Sequence, residues 1–430
     1  MPWAWAGRLT TTAGLGGVLA MAGILSKSAA LLALSFPFFA YAAALLAGAL
    51  TPSTPHLAVT RRLSAARVEE GEEVDVTLDI ENRGDGLHNV GIADRVPWGA
   101  LCTSGAASTV ASLAPGATVT LSYRLRPPRG VHVLPGIDVI TWDRLGLVPV
   151  RRLVDAPSGL LVLPKVEALE TIRIRPRRTR VYSGTVRANL GGSGTDFFGC
   201  RAYSSGDEVR RINWRATARR EDLVVTDYEQ ERVADVSVIL DARERAHAQV
   251  GSDASTFDYA VHAAASVALH FLRSGNNVGL LIYGDYLNWT YPGYGRAQRE
   301  KILVALAAAS TADKVAFEDL RYLPTRLFPS GSQLVVVSPL ADERDLDILG
   351  ILRARGYQVI LISPNPLYRE APPDKHDRAV ETARRLLDLG RSALISSLVA
   401  MGVVVVDWDL RFPLSLPVAR LLSAKGRRLS

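Results

Sequence analysis

The stretch ADVSVILDA, residues 234–242, decides the fold. It is a short apolar run and reads as a strand buried on both faces. Downstream of it, helix and strand signals alternate. TFDYAVHAAASVALHFLRSG (256–275) predicts a helix ending at Gly275, and NNVGLLIYG (276–284) predicts a strand. RAQREKILVALAAAS (296–310) predicts a helix and SQLVVVSPL (332–340) a strand. DERDLDILGILRARG (342–356) predicts a helix with Asp342 as N-cap and Gly356 at its end. YQVILIS (357–363), a helical 377–400 and GVVVVDWD (402–409) complete the pattern. Apolar strands alternating with helices imply a doubly wound parallel sheet over residues 233–425. Such sheets bind ligands outside the carboxyl ends of their strands.

Upstream, residues 57–163 read as all-β. VDVTLDI (74–80) and ATVTLSYRLR (117–126) alternate, and VHVLPGIDVITWD (131–143) carries two more short strands. Turn signals at Asn82-Arg83-Gly84, Ala114-Pro115-Gly116 and Pro127-Pro128 punctuate them at intervals suited to a β-sandwich. An immunoglobulin-like sandwich is expected, with no catalytic constellation. Residues 164–232 read as an irregular basic connector.

The amino terminus is apolar. Residues 9–25 and 29–50 are two apolar runs separated by Ser26-Lys27-Ser28. The second is long enough to span a bilayer. In the first, Ala13 and Gly17, and Gly16 and Ala20, recur at four-residue spacing, which permits close helix packing in lipid. Residues 1–52 are therefore expected to form a transmembrane helix hairpin, since the two runs exceed the single apolar core of a signal peptide. Arg8 before the hairpin and Arg61, Arg62 and Arg67 after it outnumber Lys27 in the turn. The positive-inside rule then places the soluble part in the cytoplasm.

The composition agrees. Hydrophobic residues make up 48% of the 430 residues, and mean hydropathy is positive. The net charge of +7 is concentrated in residues 171–220, which hold twelve arginines, no lysine and only Asp196, Asp207 and Glu208 as acids. A basic partner-seeking surface, if present, lies there. Cys102 and Cys200 form no disulfide framework and no C-x-x-C pair, and are expected to be small buried hydrophobes of a protein in a reducing compartment.

Three stretches together resemble the domain of unknown function 58 family: VEEGEEVDVTLDIENRG (68–84), RPPRGVHVLPGIDVITWDRLGLV (126–148) and, most specifically, GGSGTDFFGCRAYSSGDEVRRINWRATARREDLVVTDYEQE (191–231). In the last, Arg201, Tyr203, Gly206-Asp207, Arg210, Ile212, Trp214 and Ala218-Arg219 fall where the family pattern expects them. The resemblance implies a membrane-anchored protein with a von Willebrand factor A-like domain. It also implies pairing with a MoxR-type AAA+ ATPase in the assembly or maturation of other complexes. It brings no established enzymatic activity.

A von Willebrand A domain holds a divalent cation through D-x-S-x-S after its first strand, completed by residues of later loops. Here that strand ends DARER (241–245): Asp241 is kept, but Arg243 and Arg245 stand at the serine positions. A guanidinium accepts no hydrogen bond and repels a cation. After the later strand stands Ser338-Pro339-Leu340, with Asp342 the nearest acid and better read as a cap. No metal is expected, and the two arginines are expected to pair with Asp241 in the ion's place.

The motif GDEVRRINWRATARR (206–220) admits three readings. Arg211, Arg215 and Arg219 would share one helical face and, with Trp214, could hold phosphates or RNA. The patch could lie on an anionic leaflet. Or it could be an internal brace, its arginines paired with Asp207, Glu208, Glu221, Asp222 and Asp227, and Trp214 buried against the following sheet. The brace is favoured, with leftover arginines among Arg173–Arg180 facing outward.

No G-x-x-x-x-G-K-[ST], H-E-x-x-H or G-x-S-x-G occurs, and the seven histidines are dispersed. The expectation is a non-enzymatic membrane-anchored adaptor without cofactor or small-molecule substrate, and with nucleic acid disfavoured as a partner. Its binding residues would be Asp207, Arg210, Trp214, Arg219, Asp241, Arg243 and Arg245, with the contact surface at the carboxyl edge of the sheet. The alternatives are a metal-dependent adhesion-type A domain outside the cell, or an enzyme whose site is not local in sequence.

Overall fold

A computed structural model describes residues 4–50, 55–142, 147–169, 180–220, 222–250, 254–284, 287–311, 328–329, 331–340, 344–368 and 378–419. The chain divides into two compact units, 1–163 and 164–430.

In the first unit, α1 (Ala4–Leu25) and α2 (Ala29–Leu50) form an antiparallel pair. Both are long and apolar enough to cross a membrane. Lys27 takes a left-handed conformation (φ 50°) in the turn between them. The close approach is at Gly16 and Gly23, where a Cβ would stand 3.1 Å from Phe38 and 2.9 Å from Leu32. Gly17, expected to share in the packing, faces open space.

Nine strands come next: β1 (Leu57–Leu63), β2 (Arg67–Glu69), β3 (Val74–Asn82), β4 (Leu87–Asp94), β5 (Leu101–Gly105), β6 (Ser108–Leu113), β7 (Thr118–Arg126), β8 (Gly130–Trp142) and β9 (Pro149–Leu163). They build two sheets, ordered β1-β3-β7-β5 and β2-β9-β8-β4-β6. The period-two pattern of β3 buries Val74, Val76, Leu78 and Ile80. These meet Val90, Ile92, Ile137, Val139 and Leu160 of the other sheet in one core. Each such side chain contributes about 1.5–3 kcal/mol on burial. Arg61, a flanking cation in the sequence, lies inside this core. It pairs with Asp94, which also accepts a 2.6 Å bond from the Tyr123 hydroxyl. The chain enters the sandwich where the His56 carbonyl accepts from Arg83 N. It leaves at the other end, where the Leu163 carbonyl accepts from Glu70 N.

Cys102 and Cys200 are both exposed, not buried as expected. Cys102 lies on β5, an edge strand whose five residues all face solvent.

In the second unit, the basic connector from Arg180 onward is a two-stranded antiparallel ribbon. β10 (Arg180–Ala202) pairs with β11 (Val224–Val233) through four register shifts. Between them lies a short helix, α3 (Trp214–Arg220). Residues 164–169 contact the α/β part, since Glu167 N donates to Ser266 Oγ (2.9 Å) and its carboxylate accepts from Leu414 N (2.8 Å).

The α/β part comprises β12 (Asp235–Asp241), the two-residue strands β13 (Gln249–Val250) and β14 (Ala254–Ser255), α4 (Thr256–Arg273), β15 (Asn277–Tyr283), β16 (Leu287–Gly293), α5 (Gly295–Ala308), β17 (Gln333–Val337), α6 (Arg344–Ala354), β18 (Gln358–Asn365), α7 (Arg378–Ala400) and β19 (Val404–Asp409). Ser255 and Asp258 cap α4 reciprocally. The central sheet runs β16-β15-β12-β17-β18-β19. It is parallel except for β16, an antiparallel edge strand that sequence reading missed. Its proline, Pro292, is tolerated at an edge. The chain goes one way from β12 to β15 and the other way to β17, so the topological switch lies at the carboxyl ends of β12 and β17.

Candidate functional site

Three elements bring polar side chains to that switch. β12 delivers Asp241, the turn after β17 delivers Ser338, and the first turn of α6 delivers Asp345. All three are buried. The oxygens of the two carboxylates converge on the guanidinium of Arg243, itself fully buried, and the Ser338 hydroxyl bonds Asp241 beside it. Arg243 Nε donates to Asp241 Oδ1 (2.9 Å) and Nη2 to Asp241 Oδ2 (2.7 Å). Nη2 also donates to Asp345 Oδ2 (2.8 Å). Asp241 Oδ2 accepts from Ser338 Oγ (2.8 Å), and Asp241 Oδ1 from Arg243 N (3.1 Å). The guanidinium carbon stands 5.9 Å from the Tyr283 ring centroid.

Burial disfavours a charged guanidinium. Hydrogen bonds and Coulomb attraction from Asp241 and Asp345 outweigh it and hold Arg243 above its ordinary value. One cation between two carboxylates is the arrangement a divalent ion would otherwise make. A metal therefore does not fit the residues present, because the point where the oxygens meet is occupied by nitrogen donors. Among the described residues, no group of three or more His, Cys, Asp or Glu stands together as a metal site.

His247 locks the turn from behind. Its Nε2 donates to the Asp241 carbonyl (2.8 Å), and Nδ1 lies 3.1 Å from Thr256 Oγ1. Burial lowers its pKa and disfavours the charged ring, while the bond to the Asp241 carbonyl pulls the other way. Arg391 of α7 closes the neighbouring strand ends. It donates to the Pro339 carbonyl (2.7 Å), Ser363 Oγ (2.8 Å) and Asp407 Oδ1 (2.7 Å).

Sequence reading expected Arg243 and Arg245 to act together. Only Arg243 turns inward; Arg245 is exposed on the following turn. The second carboxylate, Asp345, was missed in favour of Asp342, which lies outside the described residues. A signal was available: Asp345, Ile348, Leu349 and Leu352 fall on one helical face, and all are buried. An acid on an apolar stripe needs a partner.

The 206–220 motif assembles elsewhere. Arg201 donates to both oxygens of Asp207 (2.7 Å each) and to Asp227 (3.0 Å). With a further bond from Ser204 N, this lowers Asp207 to about 2. Arg210 reaches Glu208 but is itself exposed. These pairs brace a turn on the ribbon, yet Trp214 is 64% exposed, not buried as expected. The reason is local. Asn213 Oδ1 accepts from Ala216 N (3.0 Å) and Thr217 Oγ1 accepts from Val224 N (3.0 Å). These bonds turn Ala216 and Thr217 inward and Trp214 and Arg219 outward. Glu221 and residues 173–179 lie outside the described residues.

The family model for "Protein of unknown function DUF58" matches residues 199–365, which thus form a DUF58 domain. The uncharacterized protein YeaD of Bacillus subtilis (strain 168) is 26% identical over 249 residues, covering 57% of this chain and 59% of that protein. The chain thus spans less than two thirds of this relative's length. Among solved structures, a CARDB domain of Pyrococcus furiosus in complex with di-metal ions is similar over 26% of this chain and 96% of its own (16% identity, TM-score 0.18). A FixG-related protein of Vibrio parahaemolyticus is similar over 26% and 98% (13% identity, TM-score 0.18).

Proposed function

We propose that this chain is a membrane-anchored, non-enzymatic interaction protein that works with a MoxR-type AAA+ ATPase in the assembly or maturation of other complexes. One observation carries the non-enzymatic part: the switch-point crevice, where doubly wound sheets take ligands, is filled by the chain's own Arg243. That filling also weighs against a metal-dependent adhesion domain, which needs an open coordination position. The architecture proposed is an immunoglobulin-like spacer carrying a degenerate von Willebrand A-like domain. The match over 199–365 supports the family, and the ATPase pairing rests on the family resemblance alone.

Asp241 and Arg243 are enclosed, so they shape the edge without touching a partner. The proposed topology has two membrane crossings with the soluble part in the cytoplasm. Protease added outside intact cells should leave residues 57–430 uncut. Crosslinking of tagged full-length protein in its own membranes should capture a MoxR-type ATPase; capture of cell-surface ligands alone would overturn the reading. Magnesium or manganese should produce no saturable heat. A signal abolished by Asp241→Ala would restore the metal alternative.

A further inference from the structure

The outward face of α3 is built and unused. Trp214, Arg215, Ala218 and Arg219 are all exposed, and their one- and four-residue spacings place them on one side of the helix. The side chains of Asn213 and Thr217 fix the opposite side to β11. Val209 and Leu223, before and after the helix, are exposed as well. Nearby acids are engaged: Asp207 and Asp227 by Arg201, and Glu208 by Arg210. Among the described residues, Arg215 and Arg219 make no ion pair. The helix, fastened by its other side, thus presents a tryptophan beside two guanidiniums without an ion-pair partner among the described residues.

We propose that this face of α3 docks an acidic segment of a partner protein, with Trp214 as the apolar anchor and Arg215 and Arg219 as carboxylate clamps. Tryptophan and arginine are the side chains that most often dominate protein–protein contacts. The planar guanidinium matches a carboxylate through two parallel bonds. A membrane patch calls for a cluster of about four to eight basic residues, more than this helix exposes. A nucleic-acid track needs phosphate contacts in series, more than Arg215 and Arg219 supply. The proposal is independent of whether the partner is an ATPase.

The test places the photoreactive residue p-benzoylphenylalanine at position 218 of the full-length protein in its own membranes. The expected product is a crosslink to a peptide rich in Asp and Glu. It should fall at least tenfold with Trp214→Ala or with Arg215→Glu/Arg219→Glu. Replacing two acids of the captured peptide with lysine should restore it in the charge-reversed protein. Unchanged amide exchange in β11 shows that the variants fold; if exchange rises, Arg215→Gln/Arg219→Gln takes their place. A crosslink to lipid or RNA, a crosslink indifferent to these changes, or no crosslink at all overturns the proposal.

Discussion

Two arginines in the second unit are each held by two aspartates, and the two sites do opposite things. Arg243 bridges Asp241 and Asp345 with every side chain at most 3% exposed. Arg201 bridges Asp207 and Asp227 with the arginine 44% exposed. The bonds are equally short. The difference is solvent. Inside the sheet, removing one partner strands a charge that water cannot reach. On the ribbon, water and salt replace whatever is lost. The buried site closes a crevice, while the exposed site shapes a turn that sets out α3.

The widest gap between the two is expected from Arg243→Met. It should lower the stability of the sheet by about 3–5 kcal/mol, read as faster amide exchange in β12 and β17. Adding Asp241→Asn and Asp345→Asn to the same chain should recover part of that loss, since no charge then remains buried. A triple variant weaker than the single one would mean that the cluster is net stabilising as a charged unit. Next comes Asp345→Asn, which keeps an acceptor but not the charge and should cost about 1–3 kcal/mol by the same readout.

A smaller effect appears with pH. Asp207 is held at about 2 in the folded protein. A lowered carboxylate contributes stability that is complete above its ordinary value of about 3.9 and is lost as pH falls through the folded one. Exchange in the turn at 203–207, corrected for its intrinsic rate, should therefore quicken from pH 4 to 2. Asp207→Asn should flatten that dependence; a profile unchanged in the variant would assign it to other carboxylates. Smallest of all, Arg201→Ala should leave the melting midpoint of the protein unmoved, and a shift comparable to that of Arg243→Met would erase the comparison.

The parallel strands and the helices between them from 234 to 409 were legible because buried parallel strands are continuous apolar runs, as in β12 and β17, whereas the antiparallel edge strand β16 was not. The alternating pattern of β3 was equally plain. The ribbon was not, because the glycines and arginines of β10 carry neither period. Arg243 could be suspected from its place after Asp241, since the two are neighbours in sequence. Asp345 joins from 102 residues away, a contact only the fold can make. Trp214 was misjudged because an isolated tryptophan is ordinarily buried, whereas α3 is too short to cover its own and is fastened by its other side.

The sandwich is entered at one end and left at the other. Tension between the helical hairpin and residues 164–430 would therefore run along its strands, from Leu57 towards Leu163. Hydrogen bonds between strands lie across that direction, so the ladder between β1 and β3 and the one between β8 and β9 would be sheared as whole sets. They would not open bond by bond from one end. A partner that pulls on this protein would meet a domain mounted to resist.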